Sequence, residues 1–508
     1  MFIILAILFF PYLAGLICAP LLKKAIGDEA KPYIPFIGLM QVIALIKKPK
    51  YWIVLAHLPI FNVFILLSIF TDINKFFGKN TIGAALAAIF IPFIWLPYIG
   101  NKKETQFQPE KSDVKKIFYF EWTEALVFAL LAATIIRWST FELYTIPTSS
   151  MESSLLVGDY LFVSKMHYGA RTPSTPLQVP LTHKSFPWVS TDELSSGTYT
   201  RTYLDIPWLR LPTFRFPGFE DVDRGDIVVF NYPYEFNDHA TSAPLASEVK
   251  AGMGAADIKT NYIKRCVGIA GDTISVIDDQ LINNGKPFYN PPKLQLGYLA
   301  TFQKGYSLGL NFIEKYQLNP GDIEPLYTKA GGRKVYMINV DKTRMEFMKN
   351  ERFIDSIEKY SIENVNQKEF YESRSYPSEE KWTYINYGPI VVPQAGMTIQ
   401  MTPKNVMHYE RVLEYYEGID DFVCTDNYQA KIDGKVITEY TFKQNYYFMC
   451  GDNRHRSDDS RFWGFVPEDH IVGKAFIVLM SVDQHKEGGF FERLRYDRLF
   501  KFIEHGEN

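Results

Sequence analysis

The stretch Pro-Thr-Ser-Ser-Met at residues 147–151 follows an apolar run that ends near Trp138. Apolar residues continue on both sides of the Gly158-Asp159 dipeptide, at positions 155–157 and 160–163, and predict two strand segments joined by a turn. A serine in a tight Thr/Ser cluster, directly after a predicted membrane span, is an unusual place for a residue that only keeps a loop soluble. We therefore predict that Ser150 is a nucleophile held close to a bilayer surface.

Composition separates the chain into two halves. It has 508 residues, enough for more than one domain, and a formal net charge of -3, which does not suggest a nucleic-acid-binding surface. Residues 1–140 carry long apolar runs, whereas residues 141–508 have the composition of a soluble protein rich in Tyr and Phe. The cysteines exclude a dense disulfide framework; they are Cys18, Cys266, Cys424 and Cys450. One bridge between Cys266 and Cys450, or three free thiols in the second half, are both compatible with their positions.

Four apolar runs in the first half have the length of membrane-spanning helices. They lie at about residues 2–22, 51–71, 82–99 and 122–138, and a helix needs about 17–25 residues to cross a bilayer. Residues 33–46 are apolar but too short, so we predict an interfacial or re-entrant segment there. The connections at residues 21–50 and 101–121 are rich in lysine, which places them in the cytoplasm. Everything after residue 140 then lies on the outer face.

Turn dipeptides and short apolar runs divide the second half into strands, so it is predicted to be mostly β. The predicted strands include residues 227–230, 262–269, 446–449 and 472–478. Asn284-Gly285 and Asp433-Gly434 are typical of hairpin turns. Residues 172–222 form an insertion rich in aromatic side chains, which either contact a bilayer surface or fill a small local core. Residues 290–425 are predicted to form a β-rich subdomain.

A serine nucleophile needs a base within hydrogen-bonding distance, and the stretch Asn-Tyr-Ile-Lys-Arg at residues 261–265 offers a lysine. Ser150 has no surrounding Gly-x-Ser-x-Gly motif and the chain has no His-Glu-x-x-His motif, so neither a histidine triad nor a zinc protease is indicated. Lysine acts as a base only when it is neutral, which requires burial among apolar neighbours. On a strand, Lys264 points to the same side as Tyr262 and Cys266. The alternative interpretation is an exposed strand lysine.

Four stretches of the second half together resemble the signature boxes of the type I signal peptidase (leader peptidase) family, and they occur in the family's order. The first is Pro-Thr-Ser-Ser-Met with Leu155 and Gly158-Asp159. The second and third are Arg-Gly-Asp-Ile-Val-Val-Phe at residues 224–230 and Tyr-Ile-Lys-Arg-Cys-Val-Gly at residues 262–268. The fourth runs from Gly-Asp-Asn-Arg at residues 451–454 to Trp-Gly-Phe-Val at residues 463–466.

This resemblance implies a Ser/Lys protease and assigns a role to each site residue. Ser150 is then the nucleophile and Lys264 the general base, while the Ser150 N–H and the Thr148 hydroxyl form the oxyanion hole. Ser457 would position the lysine amine. The residues implied to support the site through ion pairs are Arg265, Asp459 and Arg461. The residues implied to line shallow pockets for small side chains, at the first and third positions before the cut, are Ile146, Pro147, Met151, Leu155, Tyr262 and Ile263.

The resemblance also implies the substrates and the location. Substrates would be exported precursors that carry signal peptides and are cut after a small-x-small motif. No metal or other cofactor is implied, and the expected partners are the lipid bilayer and the secretion machinery, with no nucleic acid. The enzyme is expected to be a multi-pass protein of the cytoplasmic (inner) membrane, with its catalytic domain on the outer, periplasmic face.

The expected fold is a set of N-terminal α-helical membrane spans, followed by a mostly-β catalytic domain with a large β-rich insertion. A multi-span membrane module is expected at residues 1–100 and a cytoplasmic linker at residues 101–121. A transmembrane anchor helix is expected at residues 122–140, followed by the catalytic domain at residues 141–508.

Three features depart from the family pattern, although none removes a catalytic group. Ser153-Ser154 stand where the family often has Pro-Thr, Ser149 replaces a glycine beside the nucleophile, and the extra spans and long insertion exceed the compact family form. Two other hypotheses are a self-cleaving repressor-type Ser/Lys protein and a non-catalytic membrane scaffold. The predicted spans and the lack of a DNA-binding segment oppose the first, and the presence of Ser150, Thr148 and Lys264 opposes the second.

Overall fold

A computed structural model describes most of the chain. The described residues are 12–34, 36–56, 61–108, 129–130, 132–152, 154–174, 182, 213–233, 256–306, 308–329, 331–362, 374–419, 421–484 and 486–506. The chain forms two compact units, Met1–Ser139 and Thr140–Asn508. The boundary between them immediately follows the helical residues 132–139.

Helices form the described part of the first unit. They are α1 (Ala19–Ile26), α2 (Ile37–Leu45), α3 (Trp52–Leu55), α4 (Phe61–Phe76), α5 (Ile82–Phe90) and α6 (Pro92–Asn101). Their buried side chains share one apolar cluster that includes Leu21, Leu39, Ile69 and Leu96. The first unit is therefore a packed helical body in its own right.

The structure differs from the predicted pattern of membrane spans. Among the described residues, no helix has both the length and the apolar character that crossing a membrane requires. The predicted span at 51–71 is divided between α3 and α4, and the one at 82–99 between α5 and α6. In the second case the break falls at Pro92, which has no amide hydrogen to continue the bonding of α5. Residues 33–46 contain α2, and much of the predicted spans at 2–22 and 122–138 lies outside the described residues.

The second unit is mostly β. Its strands are β1 (Phe141–Thr145), β2 (Asp159–Ser164), β3 (Ile227–Asn231), β4 (Asn261–Gly268), β5 (Thr273–Ile277), β6 (Gln280–Asn283), β7 (Lys286–Pro287), β8 (Gln295–Phe302), β9 (Ile323–Lys329), β10 (Arg333–Asp341), β11 (Ile354–Lys359), β12 (Tyr387–Val391), β13 (Thr398–Gln400), β14 (Phe422–Cys424), β15 (Ala430–Ile432), β16 (Lys435–Val436), β17 (Glu439–Thr441), β18 (Tyr446–Cys450), β19 (Val466–Pro467), β20 (Ile471–Ser481) and β21 (Lys501–Phe502). Its helices are α7 (Leu310–Lys315), α8 (Lys342–Met348), α9 (Pro403–Tyr415), α10 (Ser460–Trp463) and α11 (Phe490–Arg493).

The largest sheet has the strand order β1-β2-β20-β3-β4-β18-β19, with β21 paired to β20. Strand β3 is buried at every position, and its side chains alternate between two cores. Val228 and Phe230 belong to one core, and Ile227 and Val229 to the other. The sheet therefore buries both faces around its centre, and β4 lies next to this centre, between β3 and β18.

Two further four-stranded sheets complete the unit, with the orders β12-β5-β6-β7 and β11-β8-β10-β9. The first shares a core with α9, whose Val406 and Val412 are buried with Val276 of β5 and Phe448 of β18. The second has a separate core of its own. In the predicted insertion at residues 290–425, the strands up to Lys359 form the sheet β11-β8-β10-β9. The chain then returns at β12, which pairs with β5.

Both predicted hairpins are confirmed. Asn284 and Gly285 join β6 to β7, and Asp433 and Gly434 join β15 to β16, with φ values of 50°, 75°, 50° and 73° respectively. Two-residue hairpin turns favour such positive φ values because their twist matches that of the strands, and Asn, Asp and Gly tolerate them. The predicted strands at 227–230, 262–269, 446–449 and 472–478 correspond to β3, β4, β18 and β20.

One local prediction comes out differently. Residues 155–157 are not a strand, because the Leu155 amide donates to the Met151 carbonyl at 2.9 Å and continues a helical turn. In the predicted aromatic insertion at 172–222, Phe214 and Phe219 are exposed, with 41% and 75% of their surface accessible. Trp188 and Trp208 of the same insertion lie outside the described residues.

Candidate active site

Ser150 and Lys264 meet although 114 positions separate them in the chain. Ser150 lies in the 3-10 turn Ser149–Met151, and Lys264 lies in the middle of β4, opposite Val228 of β3. The Lys264 Nζ atom is 2.7 Å from the Ser150 Oγ atom, a hydrogen-bonding distance. A nucleophile and a base in direct contact are the arrangement that serine activation requires.

The Lys264 side chain is buried, with 3% of its surface exposed, so the alternative of an exposed strand lysine is wrong. Burial lowers the pKa of the amine to about 8, although the carboxylates of Asp459, Asp458 and Asp452 act in the opposite direction. The Tyr262 ring lies beside the amine, with its centroid 5.5 Å from Nζ. A substantial fraction of the amine is thus neutral near pH 8, as a general base must be.

Arg265, the next residue of β4, forms a buried ion pair with Asp452. Its guanidinium donates to both carboxylate oxygens, at 2.9 and 2.7 Å, and to the Gly225 carbonyl at 2.6 Å. The Ser154 hydroxyl donates to the same carboxylate at 2.5 Å. This pair therefore joins β4 both to the loop after β18 and to the segment that follows the candidate nucleophile.

A second buried ion pair joins Asp459 and Arg461, with nitrogen–oxygen distances of 2.8 and 2.7 Å. Asp459 also accepts from the Gly451 amide at 3.1 Å. The Ser457 hydroxyl is buried beside Gly451 and near the Asp459 carboxylate, whose pKa it helps to lower. The structure places Ser457 next to the Ser150 backbone and gives no hydrogen bond between its hydroxyl and Lys264, both of which lie in the described part of the chain.

The residues predicted to line the substrate pockets differ in accessibility. Three are buried in the core on one face of the main sheet, namely Ile146, Met151 and Leu155. Three are more accessible, namely Pro147, Tyr262 and Ile263. Tyr262 stacks on Tyr232, with ring centroids 4.5 Å apart.

The predicted oxyanion donors lie at the beginning of the 3-10 turn. Thr148 is exposed and extended, with φ of -126°, and it immediately precedes the turn that contains Ser150. Backbone N–H groups in the first turn of a helix have no partner within that helix. The Ser150 amide and the Thr148 side chain are therefore close neighbours at a turn that can present donors to a substrate.

Comparison with known families agrees with this geometry. The chain matches the family model described as "Signal peptidase, peptidase S26" over residues 119–311 and 376–480. It belongs to this family. A second model, described as a family of unknown function (DUF5684), matches residues 31–110 of this signal peptidase.

Curated relatives of the peptidase carry the name Signal peptidase I. The protein of Buchnera aphidicola subsp. Schizaphis graminum is 26% identical over 408 residues, which cover 79% of this chain and 89% of the relative. That of Haemophilus influenzae is 23% identical over 412 residues, covering 79% and 80%. That of Aquifex aeolicus is 22% identical over 362 residues, covering 70% and 82%. The chain is thus a hydrolase of the signal peptidase I type.

Sequence reasoning assigned no role to two residues of the peptidase that contact the candidate site, Asp452 and Asn453. Asp452 is the partner of Arg265 described above. The Asn453 backbone amide donates to the Ser150 carbonyl at 3.1 Å, and its side-chain amide donates to the Ser149 carbonyl at 3.2 Å. Both belong to the Gly-Asp-Asn-Arg box at residues 451–454, so the signal was present in the motif, but their contacts depend on long-range packing.

All four cysteines of the peptidase are free. In the pairing of β4 with β18, Cys266 lies opposite Met449 and Cys450 lies opposite Arg265. Side chains of neighbouring positions on a strand point to opposite faces. Cys266 and Cys450 therefore pack into different cores, and burial raises the pKa of both thiols.

Proposed function

We propose that this signal peptidase removes signal peptides from exported precursors with a dyad of Ser150 and Lys264. The observation that carries the proposal is the 2.7 Å contact between Ser150 Oγ and a lysine amine that burial keeps partly neutral. A neutral amine can accept the hydroxyl proton as the oxygen attacks the substrate carbonyl.

The proposed reaction has two halves. In the first, Ser150 Oγ bonds to the scissile carbonyl carbon while Lys264 takes its proton, and the carbonyl oxygen becomes an oxyanion held by the Ser150 N–H and the Thr148 hydroxyl. The carbon–nitrogen bond then breaks, and the new amino group of the mature protein takes the proton from Lys264. In the second half, Lys264 removes a proton from water, whose oxygen bonds to the acyl carbon. The bond from that carbon to Ser150 Oγ then breaks, Lys264 returns the proton to Oγ, and the signal peptide leaves as a carboxylic acid.

The support around the dyad fits this chemistry. The ion pairs Arg265–Asp452 and Asp459–Arg461 are both buried, and each satisfies its charges with two hydrogen bonds. They fix the loop after β18 on one side of the lysine. We assign them a structural role, and we assign Ser457 the role of packing against the Ser150 backbone and positioning the amine from there.

The proposed specificity is for a small-x-small sequence before the cut. Ile146, Met151 and Leu155 are buried in one apolar core, and we propose that the surface beside Ser150 offers only shallow apolar depressions. Shallow apolar depressions accept alanine-sized side chains and reject larger ones by steric overlap. Pro147, Tyr262 and Ile263 form the more accessible part of the same surface.

We further propose that the peptidase is a multi-pass protein of the cytoplasmic membrane with its catalytic unit on the outer face. The apolar runs of the first 140 residues and the distribution of lysines between them support this topology. Membrane-attached precursors would then reach the site at a high effective concentration. Components of the secretion machinery are the expected neighbours.

The test replaces Ser150 or Lys264 by Ala in the full chain and follows the conversion of a precursor to its mature form. Each variant should abolish conversion while the protein remains folded. Lys286→Ala and Ser378→Ala, at exposed positions, are matched controls and should process normally. Normal processing by folded S150A or K264A protein would exclude the dyad.

A further inference from the structure

The insertion that carries β8 to β11 is linked to the turn of the candidate nucleophile through the Asn453 side chain. Asp322 ends the 3-10 turn Pro320–Asp322 just before β9, and only 1% of its surface is exposed. Its Oδ1 atom accepts from the Asn453 side-chain amide at 3.2 Å. The same amide donates to the Ser149 carbonyl, so one side chain connects the insertion to the backbone on which Ser150 lies.

Asp322 is itself held in place. Its Oδ2 atom accepts from the Asn319 backbone amide at 3.1 Å and from the Asn319 side chain at 3.3 Å. The Asn339 side-chain amide lies 3.5 Å from the Asp322 carbonyl. These contacts orient the carboxylate, so Oδ1 is available for Asn453 and the contact is preorganised.

The insertion also meets the far side of the nucleophile turn, at Glu152. This carboxyl group is 6% exposed, and its Oε2 atom has no hydrogen-bond partner within the described part of the chain. Burial, with a further contribution from the negative charge of Asp322, raises the Glu152 pKa to about 7, while Asn319, Arg344 and Arg495 act in the opposite direction. The insertion thus approaches the turn of Ser150 at Glu152 as well as through Asn453.

The loop that contains Asn453 is fixed to the insertion at a second place. The Gln295 amide of β8 donates to the Asp452 carbonyl at 3.0 Å, and the Arg454 amide donates to the Gln295 carbonyl at 3.1 Å. The side chain of His455 bonds to the Gly297 amide at 3.1 Å and to Asp279 at 2.7 Å. This pairing holds Asn453 at a defined distance from Asp322.

We propose that Asp322 is a positioning residue for the Ser150 nucleophile and that it acts through the Asn453 side chain. The inference rests on the proposed function of Ser150. Asp322 lies between the two segments that the signal peptidase family model matches, residues 119–311 and 376–480, so this contact comes from a part of the chain that the family match does not include. The insertion is thereby a component of the active site, because the Ser149–Ser150 backbone is held from it.

The experiment compares Asp322→Asn with Asp322→Leu in the full chain, using a fluorogenic peptide with an Ala-x-Ala cleavage site. The two replacements are similar in size, but only Asn can still accept the Asn453 amide bond. Asp322→Leu should lower kcat about 10- to 100-fold with KM changed less than about twofold, because small displacements of a reacting group have effects of this order. Asp322→Asn should retain clearly more kcat than Asp322→Leu, because its amide oxygen can accept from Asn453, although its NH2 group cannot replace Oδ2 as the acceptor from Asn319.

Three controls make the outcome specific. Glu346→Ala removes an exposed acidic residue of α8 in the same insertion and should leave both constants unchanged. Thermal unfolding of every variant separates loss of fold from loss of rate, and kcat is expressed per folded molecule. Asn453→Ala should reproduce the kcat loss of Asp322→Leu, and the double variant should lose little more than either single one.

Equal kcat for folded Asp322→Leu and Asp322→Asn would overturn the positioning role. So would additive losses in Asp322→Leu and Asn453→Ala. The Ser150→Ala variant in the same assay distinguishes this failure from failure of the proposed function. If Ser150→Ala is inactive and Asp322→Leu is fully active, only the positioning role is wrong; if Ser150→Ala is active, the dyad itself is wrong.

Discussion

At the scale of single residues, the decisive property is the charge of one amine. Lys264 is almost fully buried and its pKa is lowered from 10.5 to about 8, mainly because the ammonium loses its hydration. The resemblance of the surrounding boxes to the signal peptidase family predicted the partnership with Ser150, whereas the local pattern around Lys264 also allowed an exposed lysine. Neither could predict the burial, which depends on β3, β18 and the neighbouring turn closing around the side chain.

Activity should follow the ionisation of Lys264. Since the neutral amine is the active form, kcat/KM should rise about tenfold per pH unit below the pKa of about 8 and level off above it. The measurement is the rate of peptide cleavage across a pH series at constant ionic strength. A profile that falls on going from about pH 7 to pH 9 would contradict a lysine base.

Stability should also depend on this residue. The Lys264 pKa is lower in the folded state than in the unfolded state, so the unfolded state binds more protons between pH 8 and 10.5. The lysine therefore lowers the free energy of unfolding most below pH 8. This destabilisation disappears as the pH rises to 10.5. Lys264→Met should raise the free energy of unfolding at neutral pH by about 1–3 kcal/mol, while abolishing activity. Denaturant titration at pH 7 and at pH 10.5 provides the measurement, and the gain should shrink at the higher pH.

At the scale of elements, the site depends on the pairing of β4 with β18 and on the loop that follows β18. Sequence patterns identified these strands and both hairpins, since alternation and turn dipeptides are local signals. They did not reveal that Asp452 pairs with Arg265 or that Asn453 bonds to Ser149 and Ser150. Those contacts join segments far apart in the chain, and no local pattern encodes their geometry.

At Gly451 this loop passes close to the nucleophile. A Cβ atom at this position would lie 2.5 Å from the Ser150 carbonyl oxygen and would also overlap Ser457. Gly451→Ala should therefore displace the serine turn and lower kcat by about 100-fold or more. Gly309→Ala is a suitable control, because Gly309 has open space around it and an extended backbone. Gly396→Ala is not suitable, because the φ of Gly396 is 80°. Normal kcat in folded Gly451→Ala protein would show that the turn is not held as described.

The Arg265–Asp452 pair should be strongly coupled. Removing one partner leaves a buried charge without compensation, so Arg265→Met or Asp452→Leu alone should destabilise the protein by about 3–5 kcal/mol. The double variant should lose clearly less than the sum of the two, because it leaves no unpaired charge. Unfolding free energies of the four proteins measure the coupling, and strict additivity would argue against a direct pair.

At the scale of the whole molecule, the chain consists of two units with separate apolar cores. The division near residue 140 could be predicted from composition, because apolar runs stop there. The lengths of the helices in the first unit could not, since Pro92 and the breaks between neighbouring helices divide runs that look continuous in hydropathy. The pairing of β12 with β5 could not be predicted from the sequence either, because it joins residues more than a hundred positions apart.

The second unit should be active on its own toward small substrates. A fragment of residues 140–508 contains the dyad, both ion pairs and Asp322, so it should cleave a short soluble peptide at a rate close to that of the full chain. It should process a membrane-attached precursor about 10²- to 10⁴-fold less well, because attachment to the same bilayer is lost. Cleavage assays with the two substrates test both statements, and a fragment inactive on the soluble peptide would contradict the first.

The order of strands in the main sheet has a consequence for the timing of biosynthesis. Strand β2, soon after Ser150, is paired with β20, and the loop that bonds the Ser150 carbonyl follows β18, so part of the support of the serine segment comes from residues near the end of the chain. While a ribosome is still translating residues before about 480, the emerging polypeptide lacks part of β20, so the pairing of β2 with β20 is incomplete. The full support of the serine segment therefore assembles only when synthesis is nearly finished.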